Sequence, residues 1–337
     1  MSLTPPPSTE DLRPPSPPST NNDDADTTNK EEVIYNHSFE NDDDDEEDYD
    51  ENDYYLQLIK FKSIRNKDGL EEAISVSWDP QRSKKDDIQD TTTLDSSSES
   101  SNSSLLLSTL LEPDELAPLF AGAQWAGTRV WHAAICGTLY LQNNYASHVL
   151  AESSLLELGC GLGVPGMIAS KYLGTKYVLL TDQESIMSQL LKNLQTNDFH
   201  FCGNKEDDTP RNTVIQAEPL DWSRAGVQSL VKDKQSFLSN NSGSFDIVLN
   251  CDCIYEPLYG SSWKLLVEVL EECLRQNPDC ICLTSVERRA ADGIDDFCSM
   301  LSSSPVVSKV ECVFEDVPYK IQIYQAFGIN SRLLVES

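Results

Sequence analysis

The chain has 337 residues and a formal net charge of −31, more than one typical domain needs and compatible with one good domain plus tails or insertions. Its acidity disfavours a nucleic-acid surface, because phosphate contacts require clustered Lys and Arg. The ten cysteines show no Cys-x-x-Cys spacing, and neither an apolar leader nor an apolar run of about eighteen residues is read in the chain, so no metal site, disulfide scaffold or membrane span is expected.

Residues 1–53 hold 18 Asp or Glu against only Arg13 and Lys30, with seven prolines between Pro5 and Pro18. About half of the net charge therefore belongs to a segment with too little apolar surface to offset chain entropy, and an acidic disordered tail is predicted over 1–53. Such a field suits a basic protein partner, although most acidic tails only solvate. Over 54–78, YYLQLIKFKSI and EEAISVSW flank the turn-like RNKDG and predict a β-hairpin. Residues 79–108 read as a Ser-rich flexible insertion, Thr91 to Ser104 being almost wholly polar. A compact domain is expected over 109–337.

Within that domain helical and strand patterns alternate. Predicted in order are a helix at 130–142, a strand at 153–158, a Gly-rich turn, a helix at 164–172 and a strand at 177–181. Then follow a helix at 184–195, a strand at 213–216, a helix at 225–238, a strand at 245–250, a helix at 260–275 and a strand at 279–285. Two last strands, 306–315 and 319–327, have no long helix between them and predict an antiparallel hairpin. The fold class is α/β, a Rossmann-like sheet of about seven mostly parallel strands with helices on both faces.

The sharpest local signal is Leu155-Leu156-Glu157-Leu158-Gly159-Cys160-Gly161-Leu162-Gly163-Val164-Pro165-Gly166, an apolar strand running through a glycine turn into a helix whose first turn tolerates proline. Gly161-x-Gly163-x-x-Gly166 also satisfies a dinucleotide pattern, with Asp182 at the spacing of a ribose-binding acid, so the turn alone does not name a cofactor. Three features favour S-adenosylmethionine over a nicotinamide dinucleotide. Glu157, two residues ahead of the glycines, suits a cationic group and would repel a pyrophosphate. Asp182 at the end of the second strand can accept ribose hydroxyls. The strand at 245–250 runs into Cys251-Asp252-Cys253-Ile254-Tyr255, placing an acid and a tyrosine beside the sheet's switch point. Cys251 and Cys253 by themselves read as small buried side chains.

At these positions the chain resembles the family-16 Rossmann-like protein methyltransferases, whose best-known members act on lysine. Gly127-Thr128-x-Val130-Trp131-x-Ala133-Ala134 is similar to the family's opening motif, Glu157-Leu158-Gly159-x-Gly161-x-Gly163 to its cofactor loop, and Thr181-Asp182 with Asn193 and Asn197 to its second strand and helix. Leu220-Asp221-Trp222 and Asp252-x-x-Tyr255 match two further segments, and the likeness spans roughly 110–330. It implies that Trp131, Glu157, Gly159, Gly161, Gly163, Asp182, Trp222 and Cys251 hold S-adenosylmethionine, Glu157 and Gly159 at its methionine end, Asp182 at the ribose and Trp222 at the adenine. Asp252 and Tyr255 would line the acceptor channel. His132 departs from the residue expected after the tryptophan, and Ser285-Val286-Glu287-Arg288-Arg289 matches only loosely.

Each role has a structural rival. Trp131 and Trp222 can be core, Asp252 a helix cap, Glu157 half of a salt bridge, His132 a satisfied helix histidine and Glu287-Arg288-Arg289 a solvated loop. The expected protein is a monomeric protein-lysine N-methyltransferase of the cytoplasm, with nuclear access, that acts on a protein substrate and binds neither nucleic acid nor membrane. A different acceptor (protein histidine or arginine, or a small molecule) and a silent binding module with this fold remain as alternatives.

Overall fold

The structure, a computed structural model, describes residues 59–65, 71–78, 103–108, 127–199, 213–238 and 243–332. The predicted acidic tail lies outside them, as do most of the Ser-rich insertion and the stretch 109–126.

Ahead of the main fold, β1 (Ile59–Arg65) and β2 (Glu71–Trp78) pair antiparallel, Phe61 opposite Val76. The Ser-rich stretch expected to stay flexible as far as residue 108 ends instead in a strand, β3 (Ser103–Ser108), which pairs with β2. The reason is an alternation that the serines obscure: Leu105 and Leu107 are buried at 1% and 0% exposure while Leu106 between them is 42% exposed, the period-2 pattern of a half-buried strand.

The main domain begins with α1 (His132–Asn144) and the short α2 (Ser147–Ala151), then β4 (Ser154–Leu158), α3 (Val164–Lys171), β5 (Tyr177–Asp182), α4 (Glu184–Thr196) and β6 (Val214–Pro219). It continues through α5 (Arg224–Asp233), β7 (Ile247–Cys251), α6 (Glu256–Tyr259), α7 (Trp263–Gln276), β8 (Ile281–Glu287) and α8 (Ile294–Ser302), and ends in β9 (Val307–Asp316) and β10 (Ile321–Gly328). The seven strands are ordered β6-β5-β4-β7-β8-β10-β9. From β6 to β8 all neighbours are parallel, and β10 runs antiparallel to both β8 and β9. The expected seven-stranded α/β sheet with a terminal hairpin is thus present.

Burial on both faces explains why the central strands are apolar throughout rather than alternating. Leu155, Ile247, Leu249 and Leu283 face a core shared with α1, α3 and α4, whereas Leu156, Leu158, Val248 and Cys282 face one shared with α5, α7 and α8. Each fully buried leucine contributes roughly 1.5–3 kcal/mol. Helix α8 was not foreseen. It follows Gly293 at φ 86°, carries Asp295 and Asp296 in its first turn and buries Ile294, Phe297 and Leu301, an i, i+3, i+7 stripe with acids at the positive end of the dipole.

Strand β3 is tied to α4 by side-chain amides. Asn197 accepts from Leu106 N (2.7 Å) and donates to Leu106 O (2.8 Å), Asn193 Oδ1 accepts from Ser108 N (2.8 Å), and Gln189 donates to Ser108 O. Spaced four residues apart, these groups form one stripe along the helix and supply the partners that a neighbouring strand would give.

Candidate functional site

The chain leaves β4 for β5 and β6 in one direction and returns to start β7 and β8 in the other, so the carboxyl ends of β4 and β7 border a switch point, where open α/β sheets bind ligands. A cavity of about 510 Å³ lies there, within the usual size range for small-molecule sites. It is lined by Trp131, Glu157, Gly159, Gly161, Gly163, Asp182, Trp222, Cys251 and Asp252. Nine of the ten residues singled out in the sequence therefore meet at one place. The tenth, Tyr255, lies outside the lining; Arg129, Tyr259, Ser262 and Leu265 belong to it and were not foreseen.

The turn after β4 owes its shape to glycine. Gly159 has φ +62°, and a Cβ there would lie 2.6 Å from Cys253 Sγ and 3.4 Å from Trp222; Gly161 has φ +52°, and its Cβ would lie 2.9 Å from Gly127 O. Any side chain at these positions would be strained and would clash with the cavity wall. Asp182 fastens the turn by accepting from Gly161 N (2.8 Å) and Gln183 N (2.7 Å), one on each carboxylate oxygen. Burial raises its pKa against those two bonds.

Glu157 is 2% exposed in the middle of a strand that is otherwise serine and leucine. Its carboxylate accepts from Gly166 N at 2.8 Å, one of the free donors in the first turn of α3, and no ion pair involves it among the described residues. The salt-bridge rival is thereby removed. Burial pushes its pKa up to about 8, the Gly166 bond opposing and the Asp182 charge adding to the rise. A buried acid without a cation that borders a cavity favours a positively charged ligand group. The thiols of Cys160, Cys251 and Cys253 are raised well above their ordinary value by burial and stay neutral.

Asp252 follows β7 at φ +55° and is 5% exposed, a conformation that costs a non-glycine residue energy unless its surroundings hold it. Its backbone N–H donates to Ser285 O at 2.8 Å, and Arg289 grips its carboxylate with bonds of 2.6 and 3.2 Å. Burial still raises the Asp252 pKa, outweighing Arg289. The helix-cap rival fails because α6 is capped at Tyr255, without a side-chain bond. Tyr255 reaches the same place from another side, its ring centroid 5.2 Å from the Arg289 guanidinium carbon, and Trp131 stands at 5.5 Å. The solvated-loop reading of residues 287–289 is corrected here. Asp292, 4% exposed, accepts from Arg289 N and Arg288 Nε and anchors the loop. His132 faces Tyr319, with ring centroids 5.4 Å apart.

A seven-stranded Rossmann-like sheet with a glycine turn, the three acids Glu157, Asp182 and Asp252 and two tryptophans around one cavity at the switch point fits the methyltransferase class of α/β folds. The chain belongs to the lysine methyltransferase family, whose model matches residues 119–304, more than half its length. It is 36% identical over 145 residues to Secreted RxLR effector protein 48 of Plasmopara viticola, 43% of this chain and 68% of that protein. It is 29% identical over 213 residues to Protein-lysine N-methyltransferase EFM3 of Chaetomium thermophilum, 60% of this chain and 56% of that one. To Protein-lysine methyltransferase METTL21E of Bos taurus it is 29% identical over 129 residues, 38% of each chain. The match thus spans about two thirds, half and two fifths of these relatives' lengths.

Proposed function

We propose that the cavity binds S-adenosylmethionine and that the chain transfers its methyl group to a lysine side chain of a protein substrate. The observation that carries this reading is the meeting of Glu157, the glycine turn, Asp182, Trp222 and Asp252 around one cavity. The residues fit the cofactor. Glu157 offers a buried acid to its cationic methionine end. Asp182 has one N–H on each carboxylate oxygen and lone pairs left for ribose hydroxyls. Trp222 gives a flat apolar wall for adenine. A cationic group beside Glu157 favours its ionised form, whereas a dinucleotide's pyrophosphate would be tolerated only with the acid protonated.

When bound, the cofactor supplies an electrophilic methyl group for in-line displacement by an amine. The chain's own task is alignment and exclusion of water. A lysine amine, with a pKa ordinarily of about 10.4, binds as the ammonium and must lose its proton before it attacks; desolvation between aromatic rings disfavours the charged form. Asp252 accepts a hydrogen bond from the amine and sets the direction of its lone pair, while Trp131 and Tyr255 wall the channel. We also place the protein in the cytoplasm with nuclear access, acting as a monomer on a protein. Among the described residues every cysteine is free, which supports a reducing compartment.

Calorimetry on the full chain tests the cofactor. S-adenosylmethionine should bind and NAD should not compete, and Asp182→Ala should weaken binding by roughly 100-fold, the loss of two charge-assisted hydrogen bonds. Preference for NAD would overturn the reading.

A further inference from the structure

We propose that Arg289 occupies the acceptor's seat: the chain fills with its own guanidinium the cation site that the substrate lysine takes during turnover. The inference rests on the methyltransferase reading and adds to it a residue that gates the acceptor.

The seat has four walls. Arg289 Nη2 lies 2.6 Å from Asp252 Oδ2 and 2.7 Å from Glu287 Oε2, and Nη1 lies 3.2 Å from Asp252 Oδ1. Trp131 and Tyr255 flank the guanidinium at 5.5 and 5.2 Å. Two carboxylates and two aromatic faces around one positive group make a cation receptacle. With the guanidinium withdrawn, neither carboxylate would keep a cation among the described residues, and the almost fully buried Asp252 would keep only its bond from Glu287 N at 3.2 Å, a state that another cation relieves. Trp131 and Asp252 also line the cofactor cavity, whereas Arg289 does not. The seat and the cavity therefore share two walls, as an acceptor site and its methyl donor must.

The neighbouring arginine shows that this placement is specific. Arg288 is spread over Asp292, Asp295, Gln322 and Tyr324 and staples the loop to α8 and β10. The charged partners of the Arg289 side chain are both seat walls, while its backbone N–H is fixed separately by Asp292 at 3.0 Å. Its head can leave without dismantling the loop. An acceptor entering the seat must replace it, so the seat selects a slender side chain that ends in a cation. It also keeps Asp252 covered until such a side chain arrives.

The probe is n-butylammonium, the end of a lysine side chain, titrated into the full chain and into Arg289→Ala and Arg289→Gln. Circular dichroism serves as the check on folding, and binding of S-adenosylhomocysteine as the check on the cofactor site. Both variants should bind the probe at least about ten-fold more tightly than the parent chain, as expected for a cage relieved of its competitor. Adding Asp252→Asn to either variant should remove the gain. In the unaltered chain, saturating n-butylammonium should shift the Nε–Hε resonance of Arg289, an arm that needs no variant to fold. Equal affinity in all three chains, or an Arg289 resonance that does not move, overturns the proposal. Probe binding of the expected pattern in a chain that fails to bind S-adenosylhomocysteine would keep the cation seat and overturn the methyltransferase reading instead.

Discussion

Two buried polar clusters in this molecule have opposite characters. Beneath β3, Gln189, Asn193 and Asn197 are neutral amides spent on backbone groups of a neighbouring segment. At the ends of β4, β5 and β7 stand three acids: among the described residues Glu157 and Asp182 meet backbone N–H groups but no cation, and Asp252 meets the guanidinium of Arg289. Amides matched to backbone make attachment, whereas acids left with spare lone pairs and raised pKa values make a binding site.

That contrast can be broken at either end. Asn197→Ala should cost roughly 1–3 kcal/mol, since two hydrogen bonds to Leu106 disappear, and the loss should surface as faster hydrogen exchange at Leu106 while cofactor binding is kept. Equal loss of binding would merge the two clusters into one.

A pH titration sharpens the acid side. The Glu157 pKa is raised by burial to about 8 in the folded chain from an ordinary 4.5, so the folded state holds a proton that the unfolded state has released. Stability without ligand therefore falls as pH rises from about 4.5 to 8. A cationic ligand favours the ionised carboxylate, so affinity should rise across the same window, by up to about ten-fold per unit, and level off above 8. Asp182 shifts in the same direction. Glu157→Gln should flatten most of the slope; an unchanged slope would mean that Glu157 does not face the cation.

Much of this was legible in the sequence, and the rest was hidden for physical reasons. The alternation of strand and helix, the glycine turn and Asp182 are local patterns and lie where they were expected. Strand β3 was missed because serines flank its leucines and resemble a linker. The stripe of Ile294, Phe297 and Leu301 behind Gly293 is as local a pattern as the glycine turn. Arg289 was not readable: its role arises because parallel pairing puts Cys251 opposite Ser285 and so brings the ends of β7 and β8 together, a contact that no local spacing encodes. Tyr255 was placed in the acceptor channel beside Asp252, and the structure joins the two through that same arginine.

Methyl transfer itself separates a lysine methyltransferase from every alternative. The full chain would be incubated with S-adenosylmethionine labelled in its methyl group and with a cell lysate, and the labelled proteins hydrolysed to amino acids. Label should appear on methylated lysine, and none when Asp252→Asn replaces the parent chain. Label on histidine or arginine, or lysine labelling undiminished in that variant, would contradict it.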